Sequence, residues 1–379
     1  MSKLILATFL TTILTAMAIV AQPPMSFAAS SPATSPATSP ATNLAAVKSG
    51  FVPIPALYYT PETAVAAGGL FIYFFRNDDD PADAKPSQVK PLVILTEKKQ
   101  LITSLLLSRR WNGGKDHASI FSRYRQYPDK FWGVGPRTTS AMEEDYATNI
   151  AMVEASWERA TSFGWSVGPI AIQSAYKVTE TAADGVVASG VLTGSDGARL
   201  GGLGMLLTRD SRDNLFAPVS GAFDSVRFIH YEHMNSSDRP FNEIQVDARR
   251  YLDVAESQVF VLRLFAQGQI GDVPFRELAS LGGPDRMRGY YDGRYRDKVA
   301  VIGEAEYRFP VWGRFRGAGF GSVGNVAKDL GQISKTPAKY SIGGGIRFVV
   351  DENERIAIRV DYGKTTESDG FYVQLNEAF

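Results

Sequence analysis

The sequence predicts an all-β protein, a transmembrane antiparallel β-barrel, and three observations predict it. From Phe51 onward, segment after segment alternates apolar and polar residues. Residues 1–28 have the composition of a secretory signal. The closing stretch FYVQLNEAF puts Phe371, Val373, Leu375 and Phe379 on one face of a strand, with Tyr372, Gln374 and Asn376 on the other. A strand with one apolar and one polar face fits a wall between lipid and water.

Composition narrows the function classes. The 379 residues hold 40 basic and 40 acidic side chains, so no net charge draws the protein to nucleic acid. Cysteine is absent, which removes disulfides, thiolate metal sites and cysteine nucleophiles. The 35 glycines and 11% aromatics suit barrel strands and tight turns.

At the N-terminus, Lys3 precedes an apolar stretch from Leu4 to Ala21, and Ser26, Phe27 and Ala28 give a cleavage site for Sec export. Residues 29–50 include three Ser-Pro-Ala-Thr repeats at 31–42, an extended linker that cannot form a core. The barrel domain is then 51–379.

Sixteen segments read as strands: 51–60, 64–76, 87–96, 99–110, 115–125, 145–160, 164–177, 199–209, 219–232, 241–252, 255–268, 298–310, 313–325, 339–350, 354–363 and 371–379. Merging the weak early segments would give fourteen or twelve. An even number brings both ends to the periplasmic rim and gathers the long connections 126–144, 178–198, 269–297 and 326–338 on the outer rim. The clearest alternation sets Ile356, Ile358, Val360 and Tyr362 against Arg355, Ala357, Arg359 and Asp361. Segment 298–310 carries Glu304, Glu306 and Arg308 on its polar face. Charges of both signs on these faces fit a watery lumen or one wet face of a soluble sheet, and the signal segment and terminal Phe379 favour the lumen.

Pro53 and Pro55 fall in the first strand, where each removes a ladder donor. In a closed barrel that strand meets 371–379. A weak lateral seam is therefore expected between Pro53, Pro55 and Leu57 on one side and Phe371, Val373 and Phe379 on the other. The alternative is that the prolines end a lead-in and the strand starts at Ala56.

Three stretches carry a resemblance. Residues 281–290 read LGGPDRMRGY, residues 208–214 read TRDSRDN with Pro218 and Gly221 following, and residues 306–310 read EYRFP. In this order they resemble the BamA/TamA superfamily of outer-membrane barrels, the bacterial surface antigen proteins, over 51–379. The family's Asp-x-Arg-Asp-Asn turn corresponds to Arg209, Asp210, Arg212, Asp213 and Asn214. The resemblance implies a sixteen-stranded barrel whose sixth outer loop folds inward, five strands before the end. It implies that Arg288, Gly289 and Tyr290 dock on the barrel wall, with Glu306 as the partner of Arg288 and Glu304 in reserve. With a wet lumen, loss of Arg288 is expected to cost about 1–2 kcal/mol. Two departures stand out. A short linker occupies the place of the family's periplasmic POTRA domains, and Ser322 stands where an acid is usual, which should weaken the clamp.

The resemblance implies insertion or translocation of unfolded barrel or secreted clients. The partners would be outer-membrane lipid and either a separate periplasmic protein or further copies of the chain. A narrow pore or a purely structural barrel is the alternative. No catalytic residue, metal or cofactor is expected. Gly319, Gly321 and Gly324 match a dinucleotide-loop spacing, but no helical pattern follows them. His230 and His233 read as solvated loop residues, as do Asp78, Asp79, Asp80 and Asp83. No Gly-x-Ser-x-Gly elbow and no serine, histidine and acid set are found.

Overall fold

The structure is a computed structural model that describes residues 49–77, 86–352 and 355–379. The signal at 1–28, the linker up to Lys48 and the aspartates at 78–83 lie outside the described residues. The barrel is built from β1 (Ser49–Thr60), β2 (Ala64–Phe75), β3 (Ser87–Thr96), β4 (Leu101–Trp111), β5 (Asp116–Phe131), β6 (Glu144–Ala160), β7 (Ser166–Thr181), β8 (Gly197–Asp210), β9 (Gly221–His233), β10 (Phe241–Ala255) and β11 (Gln258–Gly271). After a long connection come β14 (Val299–Trp312), β15 (Phe315–Ala327), β16 (Lys339–Asp351), β17 (Ile356–Lys364) and β18 (Asp369–Leu375). These sixteen strands close in antiparallel neighbour order, β18 returning to β1. The long connection carries two short strands of its own, β12 (Ala279–Leu281) and β13 (Tyr295–Asp297), which pair only with each other. The sequence gives no sign of these two.

The two faces separate as the alternation requires. Leu203, Met205, Leu262, Leu264, Ile342 and Ile346 are exposed on the outside. Asp247, Arg263, Glu304, Glu306, Arg347, Arg359 and Asp361 are buried on the inside. At the rim carrying Ser49 and Leu375, Trp312 stacks on Phe315 and Tyr307 on Phe309. These are the interfacial rings of a membrane barrel.

The sixth connection on the opposite rim, 272–298, turns into the lumen. Its first leg buries Phe275 against Phe131, Tyr146 and Tyr176. Its tip buries Leu281, Met287, Tyr290 and Tyr295 against Phe265, Ile302 and Val326 of the wall. Gly282, Gly283 and Gly289 take positive φ values of 110°, 101° and 114°. A Cβ at Gly282 would strike the Tyr291 carbonyl, so this bend requires glycine.

The C-terminal stretch departs from expectation. The last strand stops at Leu375. Asn376 takes φ 63° and donates its N–H to the Ala357 carbonyl at 2.7 Å, and the chain bends inward. Phe379 therefore does not share the outer face with Phe371. It is buried among Tyr251, Val259 and Val261, with the Arg263 guanidinium 5.6 Å from its ring centre. Glu377 also points inward, its carboxylate 3.0 Å from Arg347 Nε and 3.6 Å from Arg308 Nε.

Candidate functional site: the loop clamp and the β1–β18 seam

The site is assembled from four strands and the loop tip. On β14, Glu304 and Glu306 face inward, as do Phe320 and Ser322 on β15, Arg347 on β16, and Arg359 and Asp361 on β17. The inward loop places Arg288 among them.

Arg288 is 1% exposed. Its Nη2 lies 2.5 Å from Glu306 Oε2, and its Nη1 is bonded to Asp361 Oδ2. Its guanidinium carbon sits 3.4 Å from the Phe320 ring centre, within cation–π range. Glu306 also accepts from Arg308 Nε at 2.8 Å. Asp361 accepts from Arg347 Nη1 at 2.6 Å. Acids and guanidinia thus alternate from Arg308 to Glu306, Arg288, Asp361, Arg347 and Glu377. Each buried carboxylate has more than one charged donor, which is what lets charges persist in a dry site.

The backbone around Arg288 is held as firmly. Met287 N–H donates to Glu304 Oε1 at 3.0 Å. Gly289 N–H donates to the Tyr372 hydroxyl at 3.0 Å, and Ser368 Oγ donates to the Gly289 carbonyl at 2.8 Å. A Cβ at Gly289 would come 3.0 Å from the Gly363 backbone, and one at Gly363 would collide with the Arg288 carbonyl. Two glycines therefore allow loop and strand backbones to touch. Tyr290 is fully buried, edge-on to Tyr295 with ring centres 5.8 Å apart.

Of the residues read from the sequence, Arg288, Gly289, Tyr290, Glu306 and Glu304 come together here. Glu304 serves the Met287 amide and, at 3.4 Å, Arg263 rather than Arg288. Ser322 donates to Glu304 Oε1 at 3.2 Å and does not thin the clamp, because the second acid is Asp361. The sequence does not single out Asp361, Arg347, Phe320, Gly363 or Tyr372 as partners of the loop. Asp361 stood in plain view on the polar face of its segment; the missing knowledge was which lumen positions the loop tip reaches.

The turn motif forms a separate unit at the terminal rim. Asp213 Oδ1 accepts from Val219 N at 2.9 Å and Ser220 N at 3.1 Å, while Oδ2 pairs with Arg355. Burial works against its charge, but Arg355 and these amides hold its carboxyl below the usual range. Asn214 Oδ1 accepts from the amides of Phe216 and Ala217, at 2.7 and 2.9 Å. Arg212 forms a bidentate pair with Asp210, and Gly221 takes φ 97°. Arg209 is exposed at the end of β8. Pro218 lines a cavity of about 470 Å³ together with Arg308, Arg347 and Glu377.

At the seam, β1 and β18 share one paired position, Tyr59 with Val373. The rings of Tyr59 and Phe371 lie 6.2 Å apart beside it. By contrast, β1 pairs with β2 along its whole length, through Pro53 opposite Phe71 and Pro55 opposite Gly69. Proline donates nothing, so both must occupy non-hydrogen-bonded positions of that ladder, and their backbones face the seam. The strand begins at Ser49, ahead of both prolines. Toward the terminal rim from Tyr59, Leu57 lies level with the end of β18, and the prolines lie past it, where the chain has bent inward.

His230 is exposed and bonded to Asn242 and Glu232, whereas His233 reaches the Asp272 carbonyl. Three residues apart on a strand, they face opposite sides. The structure does bring together a serine, a histidine and an acid that the sequence did not suggest. Ser108 Oγ lies 2.9 Å from His117 Nε2, and His117 Nδ1 lies 3.6 Å from Glu158. Amides of adjacent strands lie in the plane of the sheet, not toward the lumen, so they offer this trio no oxyanion cradle. It is a polar row on the wall. Gly319, Gly321 and Gly324 lie within β15, a barrel strand.

The model of the Omp85 superfamily domain matches residues 153–379. No curated protein matches the sequence. The structure is similar to BamA from Haemophilus ducreyi lacking POTRA domains 1–3, at 11% identity, covering 86% of this chain and 70% of that one with a TM-score of 0.60. It is similar to CdiB from Acinetobacter baumannii (12% identity, 87% and 60% covered, TM-score 0.54) and CdiB from Escherichia coli (11%, 86% and 62%, 0.55). The chain spans about three fifths of the length of the two CdiB structures. At these identities the likeness is one of fold. With the family match covering more than half of the chain, the protein belongs to the Omp85 superfamily of outer-membrane β-barrels.

Proposed function

We propose that this barrel, exported through the Sec route, inserts or translocates other polypeptides at the outer membrane by opening between β1 and β18. The observation that carries this is the contrast between one paired position at the seam and a continuous ladder from Ser49 to Thr60 on the other side of β1. Parting one position costs far less than parting a ladder. The clamp supports the same reading. Arg288 and Gly289 fasten the loop to β17 and β18, so one lip of the seam is braced while β1 is left free. Clients would be unfolded barrel or secreted chains, which could add a strand at the opened edge. A periplasmic partner or further copies of the chain would deliver them. The work is mechanical and uses no catalytic residue.

The test is a disulfide between cysteines at Tyr59 and Val373, in liposomes that report folding of an added barrel substrate. The oxidised protein should lose assisted folding and regain it on reduction, with its own heat-modifiable gel mobility intact. Full activity in the oxidised state would remove lateral opening. The inward loop favours a second reading, a narrow pore, because it fills the lumen from β5 to β7 across to β11 and β14 to β18. Steady conductance without any assisted folding would support that reading.

A further inference from the structure

We propose that the inner wall formed by β2 to β5 holds a phosphate-headed amphiphile, gripped by Arg123 and Arg125. Six other arginines of the lumen meet carboxylates: Arg227, Arg249, Arg263, Arg276, Arg288 and Arg347 each lie within 4 Å of one. Arg123 and Arg125 meet none among the described residues. The Nε of each is buried with no acceptor. Their contacts are with rings, Phe121 at 5.8 Å and Tyr127 at 5.2 Å.

The register explains why. Beside Arg123 stand Ser104 and Met152, and beside Arg125 stand Ile102 and Ile150. One strand further are Leu92 and Ile94 on β3, and Ser174 and Tyr176 on β7. Neither row contains a carboxylate. Residues 1–50 contain no Asp or Glu, and the aspartates at 78–83 between β2 and β3 lie outside the described residues. Glu277 on the inward loop is close enough for its charge to be felt but forms no ion pair with them. A buried guanidinium N–H without an acceptor is costly, and two like charges on one patch repel each other. An anion removes both costs.

The shape of the patch sets the class of anion. Residues two apart on one strand face lie about 7 Å apart, close enough for two guanidinium forks to share one head group. A phosphate monoester offers three terminal oxygens to those forks, a carboxylate two. The surroundings are largely apolar: Leu70, Leu92, Ile102, Leu106 and Phe121 are half-buried on this wall, with Lys90 opposite Leu106 as a further cation. The wall across the lumen carries Glu243, Asp247, Glu304 and Asp361 instead. A charged head with an alkyl tail fits the first wall; a small hydrophilic anion would leave the apolar rows uncovered.

The experiment is native mass spectrometry of the full chain in dodecyl maltoside, titrated with decyl phosphate or inorganic phosphate. Decyl phosphate should form a one-to-one adduct. Arg123→Gln with Arg125→Gln should weaken it by at least about tenfold, as expected for losing charge-assisted bonds. Inorganic phosphate should bind the natural chain at least about tenfold more weakly, since it lacks the buried alkyl chain. Leu92→Ser with Leu106→Ser should weaken decyl phosphate and leave inorganic phosphate unchanged. Glu277→Gln removes a competing anion and should tighten the adduct. If the double arginine variant loses its heat-modifiable mobility, the single variants give the same comparison. Undiminished binding in folded arginine variants would overturn the site, as would weaker binding in Glu277→Gln. Inorganic phosphate binding as tightly as decyl phosphate would overturn the amphiphile.

Discussion

The backbone N–H of Gly289 donates to the side-chain hydroxyl of Tyr372 at 3.0 Å, and this bond ties the inward loop to the last strand of the barrel. Tyr372 is fully buried. Its neighbours on β18 are Phe371, on the outer face, and Val373, the seam partner of Tyr59. Loop position and seam position are therefore connected through one tyrosine.

Tyr372→Phe keeps the ring and leaves the Gly289 amide without an acceptor. A buried unsatisfied donor costs about 1–3 kcal/mol. The midpoint of urea unfolding, followed by heat-modifiable mobility, should fall accordingly. Cysteines at Tyr59 and Val373 should also crosslink less completely in this background.

Arg288→Ala should cost more than a wet lumen implies. Glu306 and Asp361 are fully buried and would lose a shared cation. Breaking a buried ion pair costs about 3–5 kcal/mol. Glu306→Gln should be milder because Arg308 and Arg347 lose only part of their partners. The double variant should fall short of the sum of the two singles, a coupling that a cycle of unfolding midpoints would measure. Additive losses would mean that the pair does not act as one unit.

Gly363→Ala tests the backbone contact without touching a charge. Its methyl group would meet the Arg288 carbonyl. Overpacking of this kind costs about 1–3 kcal/mol. The loop should move off the wall, and limited proteolysis between 286 and 296 should accelerate. Unchanged cleavage would show that the contact has slack.

The turn between β1 and β2 offers a pH test. Glu62 is buried there, accepts from Asp292 N at 2.9 Å through Oε1, and has no partner for Oε2. Burial, then the nearby Asp292 charge, push its carboxyl up from 4.5 to about 7. The raised value means that protonation favours the folded contact. Its contribution is full below about pH 4.5 and is lost as pH rises through about 7. Resistance of the loop to protease should decline from pH 5 to pH 8, and Glu62→Gln should flatten that decline.

Much of this fold was legible because strand periodicity is a local property. Glu243, Asp247, Glu306 and Asp361 face the lumen as their alternation requires. The sixth loop was legible through its motif, and Glu306 lies one strand after it. Asp361 was harder: it is 73 residues from Arg288, and only barrel closure makes them neighbours. The fate of Phe379 was hidden for a different reason. Alternation continues past Leu375 in the sequence, but Asn376 adopts a positive φ and ends the strand. The Arg123 patch was invisible because an absent partner is a property of the register, not of either segment.

The early end of β18 has a consequence for life in a crowded membrane. Closed barrels avoid sheet edges altogether, yet here β1 continues toward the terminal rim with β2 on one side and, among the described residues, no strand on the other. Bare edges invite pairing between molecules, which in a two-dimensional sheet of neighbours could seed chains of barrels. Pro53 and Pro55 face that open side and cannot donate. They leave acceptors but interrupt the donors, so another copy finds a broken template there, while the one position that can part near Tyr59 keeps its full backbone chemistry. The same strand is thus closed to its own kind below and available to a visiting strand above.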